Sequence, residues 1–301
     1  MNKIVNILKP TGMTSHDVVN RVRRILNIKK VGHTGTLDPD ASGVLPICIG
    51  KATKVSELIL NKDKGYICEL TLGISTDTYD SSGTIIKRVD DFKINEEEIK
   101  KAFDSQKGEI DQLPPIYSAL KVNGQRMCDL VRSGKADQIV VKARRVNIKS
   151  INILSINENK IMFYVECSKG TYVRSICNDI GEQLGCGGHM SFLLRTSSGR
   201  FDLENAITLE ELEVFYKDNS LENYLYDIDY VLHNFNRAEL NPSALKYYCN
   251  GGIIDNKRFV VDNFTSKDEF VRVYSNGEFL GVGRVLKQNN TLTLKSDKLF
   301  I

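Results

Sequence analysis

Apolar positions along this chain switch between a helical and a strand period, and the switches divide it into elements. Val18, Val19, Val22, Ile25 and Leu26 recur at helical spacing, and Thr14 with Asp17 has the spacing of a capping box. The pattern predicts a helix over about 15–26, with Arg21, Arg23 and Arg24 turned mainly away from its apolar stripe. The run 44–49 reads as a buried strand, 50–60 as a turn into a helix, and 65–73 as an alternating strand with Tyr66 at its start. A polar loop over 76–83 leads to a returning strand at 84–88. Asn95 and Glu98 cap a helix that runs to about Phe103, and Pro114 and Pro115 keep 113–121 extended. Residues 129–133 read as a short basic helix, and the β-branched stretch 139–156 predicts two strands. Ile161, Phe163, Val165 and Cys167 line one face of the next strand. Val173, Ile176, Ile180 and Leu184 form the stripe of a helix from Tyr172 that Gly185 ends. A strand over 192–196 and a helix capped by Thr208 and Glu211 follow.

Near Tyr230 the character changes. Asn241-Pro242 opens a short helix, Asn250-Gly251-Gly252 closes it, and the remainder is β, with a hairpin signal at Asn276-Gly277. Before Tyr230, strands and helices mix without regular β-α-β alternation. That predicts an α+β fold around a mixed, largely antiparallel sheet. The expected division is a domain over 1–230 and a small C-terminal all-β barrel over 231–301.

Composition adds little: 301 residues, 41% apolar and 26% charged with net charge +3, describe an ordinary globular chain. Distribution says more. Arg21, Arg23, Arg24, Lys29 and Lys30 occupy a window free of acids. Lys121, Arg126, Arg132, Lys135, Lys142, Arg144, Arg145 and Lys149 form a second run, relieved only by Asp129 and Asp137. The stretch 202–229 is acidic, with Lys217 its lone base. Segregated basic blocks fit a surface that meets phosphates, although solvated faces leave the same pattern. Seven scattered cysteines, never in C-x-x-C spacing, fit reduced thiols in a cytoplasmic protein. Cys177, Cys186 and His189 come nearest to a metal site but lack a fourth ligand. No segment reads as a signal peptide, and no apolar run approaches the ~20 residues that span a bilayer. A cytoplasmic protein without membrane contact is therefore expected.

Candidate chemistry concentrates in Gly32-His33-Thr34-Gly35-Thr36-Leu37-Asp38-Pro39-Asp40. Its glycines admit unusual backbone conformations, and Pro39 biases Asp38 towards an extended one, so the loop can hold a carboxylate in a fixed pose. Three readings stand: an Asp-capped turn, a D-x-D phosphotransferase nucleophile, or a lone aspartate nucleophile helped by distant groups. Arg174, on the first turn of its helix, could keep Asp38 ionised and aimed. Tyr66 and Tyr172 each lie at the end of an element, where a ring could stack on a flipped base; singly, each reads first as an ordinary core or rim residue. His33 alone reads as a hydrogen-bonding loop residue, and no serine supports a triad with it.

Longer segments sharpen the choice. Lys9-Pro-Thr-Gly-Met-Thr-Ser15, Gly32-His-Thr-Gly-Thr-Leu-Asp38-Pro, Ala41-Ser-Gly-Val-Leu-Pro46, Pro114-Pro-Ile-Tyr-Ser-Ala-Leu-Lys121, Cys167-Ser-Lys-Gly-Thr-Tyr-Val-Arg174 and Asp179-Ile-Gly-Glu-Gln-Leu-Gly185 occur in this order. Over about residues 4–202 the chain resembles the TruB family of tRNA pseudouridine synthases. The resemblance implies isomerisation of uridine 55 in the tRNA T-arm to pseudouridine, with no cofactor and no metal. It implies that Asp38 is the nucleophile, attacking either ribose C1′ or the uracil ring, and that Arg174 pairs with it. Tyr66 matches the family's active-site tyrosine, Tyr172 and Leu193 match residues that contact the target base, and His33 matches a histidine beside the flipped nucleotides. Lys9, in the first motif, is placed with the substrate-binding residues. The C-terminal part resembles a PUA-like RNA-binding module. Two departures, Arg126-Met127-Cys128-Asp129 and a single arginine in Phe192-Leu193-Leu194-Arg195, are expected to lie outside the chemistry. The expected partner is the T-arm stem-loop of tRNA, bound by a monomer that needs no protein partner. A tRNA-folding chaperone independent of catalysis, and a guide-RNA-dependent synthase with protein partners, are the alternatives.

Overall fold

The computed structural model describes residues 1–122, 124–264, 268–288 and 291–301. The elements that position the site are β1 (Ile4–Lys9), α1 (Ser15–Leu26), β2 (Val31–His33), β3 (Ser42–Ile49), β4 (Lys64–Leu72), α2 (Glu96–Asp104), β5 (Gly108–Gln112), β6 (Arg144–Asn157), β7 (Lys160–Cys167), α3 (Val173–Gln183) and β8 (Gly188–Ser198). They build a ten-stranded sheet whose order runs from Leu225–Tyr226 through β1, β3, β8, β4, β7, β6 and β5, with β2 added onto β3 and Phe201–Asp202 onto β8. Among the described residues, the pairing of β3 with β8 is parallel and the sheet's other pairs are antiparallel.

Local chemistry sets the helices. Thr14 and Asp17 close the capping box of α1, and Asn27 ends it in the left-handed conformation. Val18, Val19, Val22 and Leu26 bury the stripe of α1 against Val5, Ile7, Leu45, Ile47 and Ile49. The alternate residues of the same strands, Ile4, Val44 and Cys48, belong to a different cluster, as the two-residue period of a strand requires. Helix α3 packs Ile176, Cys177 and Ile180 with Cys68, Leu70, Phe163 and Val165.

A second, six-stranded sheet runs in the order Ile254–Asp255, Thr291–Leu299, Glu278–Gln288, Asp268–Ser275, Asn236–Leu240, Phe259–Val261. It curls into a nearly closed barrel around Ala238, Tyr248, Val271, Val273, Val285 and Leu294. Asn276 and Gly277 turn its hairpin with φ of 51° and 79°, the geometry that favours this pair. The barrel shares a core with the large sheet: Val282 and Phe300 pack with Ile4, Val44, Ile59 and Phe201. Lys54 Nζ donates to the Leu299 carbonyl at 3.0 Å, and Lys298 Nζ to that of Lys54 at 3.0 Å.

One expectation changes. The stretch read as two strands holds one, β6, because register shifts at 148/150 and 153/155 bend it without ending its pairing with β7. The turn into a helix expected over 50–60 forms as a 3-10 turn, Gly50–Val55, followed by a short α-helix, Ser56–Leu60. Among the described residues no helix is long and apolar enough to cross a membrane, and no group of three or more His, Cys, Asp or Glu residues could hold a metal. Cys177 lies instead 3.5 Å from Cys68, sulfur to sulfur, within the core.

Candidate active site

The loop between β2 and β3 is held from three sides. Lys9, at the end of β1, is fully buried, and its Nζ donates to the carbonyls of Pro10 at 2.7 Å, Pro39 at 3.1 Å and Ala41 at 2.7 Å. Burial pushes its pKa down to about 8, against the pull of Asp38 and Asp40, so near pH 7 the ammonium stays charged with every proton donated. Ser15 exchanges hydrogen bonds with Leu37: its Oγ donates to the carbonyl at 3.1 Å and accepts from the amide at 2.8 Å. Arg195, 1% exposed, donates from Nε to the Val44 carbonyl at 2.6 Å, from Nη2 to Gly35 at 3.3 Å and from Nη1 to Thr36 at 3.5 Å. Lys9 thus has its place inside the loop. It has no surface and no free donor to offer a substrate; it shapes the loop that carries Asp38.

Strand register explains Arg195. It pairs with Tyr66 on β4 and with Gly43 on β3. A Cβ on Gly43, whose φ is +116°, would stand 2.2 Å from the Arg195 carbonyl oxygen, so only glycine lets the strands approach here. Burial pushes the Tyr66 hydroxyl up to about 12, although the Arg195 guanidinium beside it acts in the other direction by charge and hydrogen bond. Tyr66 is thus a neutral phenol near pH 7. Leu193, two residues from Arg195 on β8, packs in the cluster that holds Tyr66 and Leu37. Arg195, which the sequence reading did not single out, braces both the loop and Tyr66. The signal was present: residues two apart on a strand share a face, and Leu193 was already placed at the substrate.

Arg174 closes the site. Its side chain is almost wholly buried, and Nε lies 3.0 Å from Asp38 Oδ2. Nη1 donates to Asp80 Oδ2 at 3.2 Å and to the Thr78 carbonyl at 3.1 Å, and Nη2 to the Tyr117 carbonyl at 3.2 Å. One guanidinium therefore spans two carboxylates, in a geometry that fixes its plane. Burial raises the pKa of Asp38; Arg174 opposes the rise, and the charges of Asp80 and Asp40 add to it. The Asp38 side chain nevertheless keeps 39% of its surface, so the carboxylate is both aimed and reachable. Asp80 escaped the sequence reading because its turn is uniformly polar and its partner lies 94 positions away. Asp40 is an exposed turn residue.

Tyr172 stands at the N-cap of α3, and its peptide is bonded by Gln112 in both directions. Burial raises its hydroxyl pKa, while a hydrogen bond to Ser118 and the Arg174 charge lower it. His33 ends β2 and accepts from the Gly35 amide through Nδ1 at 3.3 Å, which leaves Nε2 as the protonated nitrogen of a neutral ring. Burial, then the charges of Arg195 and His16, push its pKa down. The basic runs are only partly free. Arg23 turns inward to Asn20 Oδ1 and the Val31 carbonyl, Arg21 pairs with Glu213, and Lys149 with Asp63 and Glu166. Arg24, Lys29, Lys30, Lys121, Arg126 and Arg144 are exposed. Concavities of about 800 and 230 Å³ elsewhere on the surface contain none of the residues around Asp38.

Fold and site together define an α+β protein in which a buried arginine aims one accessible carboxylate. The description "TruB family pseudouridylate synthase (N terminal domain)" matches residues 23–173, and "tRNA pseudouridylate synthase B C-terminal domain" matches residues 174–233. The junction falls within the first turn of α3 and marks no structural boundary. The chain is 75% identical over 301 residues to tRNA pseudouridine synthase B of Clostridioides difficile (strain 630), covering all of both chains. It is 47% identical over 290 residues to the protein of the same name from Alkaliphilus oremlandii (strain OhILAs), covering 96% of this chain and 95% of the relative. Among solved structures, a Cbf5-Nop10-Gar1 complex matches with a TM-score of 0.75 at 27% identity, over 99% of this chain and 85% of that one. An H/ACA RNP bound to a substrate RNA containing 2'-deoxyuridine matches with a TM-score of 0.74 at 26% identity, over 99% and 85%. The chain belongs to the TruB family of pseudouridylate synthases.

Proposed function

We propose that the protein converts uridine 55 in the T-arm of tRNA to pseudouridine, with Asp38 as the nucleophile and without cofactor or metal. The observation that carries this reading is the Asp38 carboxylate, held 3.0 Å from Arg174 yet open on one side. Full-length identity of 75% to a tRNA pseudouridine synthase B supports the substrate class. Chemistry at C1′ or on the ring requires the uridine to leave the stack. Asp38 adds to the flipped nucleoside, the N1–C1′ bond breaks, uracil turns, and C5 bonds to C1′. Asp38 departs as that bond forms or, if it attacked the ring, afterwards; C5 loses its proton and N1 takes one up, so the product is an isomer and nothing is oxidised or reduced.

The remaining residues divide the work. Arg174 keeps Asp38 ionised and oriented, Tyr66 lies against the base and beside the departing C5 proton, and Tyr172 and Leu193 contact the base. Neutral His33 fills the opened stack. Exposed basic side chains meet phosphates, giving affinity that falls with salt. The division at 230/231 separates this catalytic part from a PUA-like barrel that adds RNA contacts. The protein acts in the cytoplasm as a monomer without a protein partner. Incubating the purified chain with an unmodified T-arm stem-loop tests the proposal: pseudouridine at the single target position is expected, and no product without added factors would defeat it.

A further inference from the structure

We propose that Gln112 is a positioning residue for this reaction: its amide sets the first turn of α3 and through it the aim of Tyr172 and Arg174. The inference rests on the functional reading above. Helix α3 begins without a side-chain cap of its own, since Tyr172 at its N-cap makes no capping hydrogen bond. A helix start leaves backbone donors without partners, and a nearby side chain commonly supplies one. Here the supply comes from 60 residues earlier in the chain.

Gln112 is the last residue of β5 and is 2% exposed. Its Oε1 accepts from the Tyr172 amide at 2.8 Å, and its Nε2 donates to the Tyr172 carbonyl at 3.1 Å. Both ends of one amide grip one residue, as a partner strand would, so they fix rotation as well as position. The same carbonyl accepts the first bond of the helix, from the Ile176 amide at 3.3 Å. Neighbouring backbone completes the clamp: the Leu113 carbonyl accepts from Ser175 Oγ at 2.8 Å, and the Tyr117 carbonyl from Arg174 Nη2 at 3.2 Å. Residues 112–117 thereby hold Tyr172, Arg174 and Ser175. Of the contacts that residues 112–117 supply, the two from Gln112 are made by its side chain and can be removed without altering the backbone. β5 pairs with β6 and ends the order of the large sheet, so Gln112 ties that edge of the sheet to the helix bearing Arg174.

Gln112→Met keeps an unbranched chain of similar volume and removes both hydrogen bonds. Single-turnover rate at saturating T-arm RNA, RNA affinity and a thermal melt are measured on each variant. With the protein folded, the rate is expected to fall by about 10- to 100-fold, the scale of a misplaced reacting group, while affinity stays within about 3-fold. A purely structural role would lower the melting temperature and leave the folded enzyme's rate alone. Gln112→Glu retains the acceptor for the Tyr172 amide and carries the same test if the Met variant does not fold. A folded variant that reacts at the wild-type rate, or whose whole loss lies in RNA affinity, overturns the proposal. Asp38→Asn, run in parallel, separates the two levels. Should it react like the wild type, the reading of the site fails; should it be inactive while Gln112→Met is unimpaired, only the role of Gln112 fails.

Discussion

Replacing Arg174 with methionine removes the cation that lies between Asp38 and Asp80. Four acceptors lose a donor at once: both carboxylates and the carbonyls of Thr78 and Tyr117. Removing one partner of a buried ion pair costs about 3–5 kcal/mol, because the other charge is left desolvated. Asp38 is partly exposed and can rehydrate, so screening brings the expected loss to about 2–3 kcal/mol. The effect on chemistry is of comparable size and has two parts. Burial already favours the neutral form of Asp38, and Arg174 is the strongest influence opposing it. Without that influence the pKa of Asp38 rises. With the ionised carboxylate as the proposed nucleophile, the acid limb of the rate profile is expected to move to higher pH. Lost aim lowers the plateau by a further ~100-fold, equivalent to about 2.7 kcal/mol of barrier. Tritium release from T-arm RNA labelled at uridine C5, in single turnover across pH, reads both effects. RNA affinity should hold, because phosphate contacts supply most of it. A folded variant whose acid limb has not moved and whose plateau stays within about 3-fold of wild type would refute the reasoning.

Three further substitutions probe the same frame. Asp80→Asn removes a charge that raises the pKa of Asp38, so the acid limb should move to lower pH, with a plateau loss smaller than that of Arg174→Met; an upward move would contradict this. Gly43→Ala places a Cβ 2.2 Å from the Arg195 carbonyl oxygen at φ +116°, and parting β3 from β8 should cost more than about 3 kcal/mol; an unchanged thermal melt would count against it. Lys9→Met leaves three carbonyls without their donor and should cost about 2–4 kcal/mol while slowing turnover at unchanged RNA affinity. Loss of affinity alone would return Lys9 to the substrate.

Features written in short-range chemistry were legible before the fold was known. The capping boxes of α1 and α2, the alternation of Ile161, Phe163, Val165 and Cys167, and the Asn276-Gly277 hairpin all form where their residues predict. Each depends on neighbours within a few positions. The pairing of Asp38 with Arg174 was foreseen as an option, because a carboxylate in a glycine loop needs a cation and a helix start offered one. What depended on distant packing stayed hidden. The bulges of β6 have no residue signature, so one bent strand looked like two. Asp80 gains its meaning only when its turn meets α3. A lysine at the end of a strand resembles a surface base until three carbonyls close over it, as they do at Lys9.

The nucleophilic role of Asp38 bears the most weight, and Asp38→Asn tests it most directly. The amide is nearly isosteric, so loop and RNA contacts should persist while the attacking charge is removed. Purified variant and wild type are incubated with unmodified T-arm stem-loop at saturating protein, and pseudouridine is scored after digestion. The predicted result is retained binding with no product from the variant. Pseudouridine formed by the variant at the wild-type rate would contradict the role assigned to Asp38.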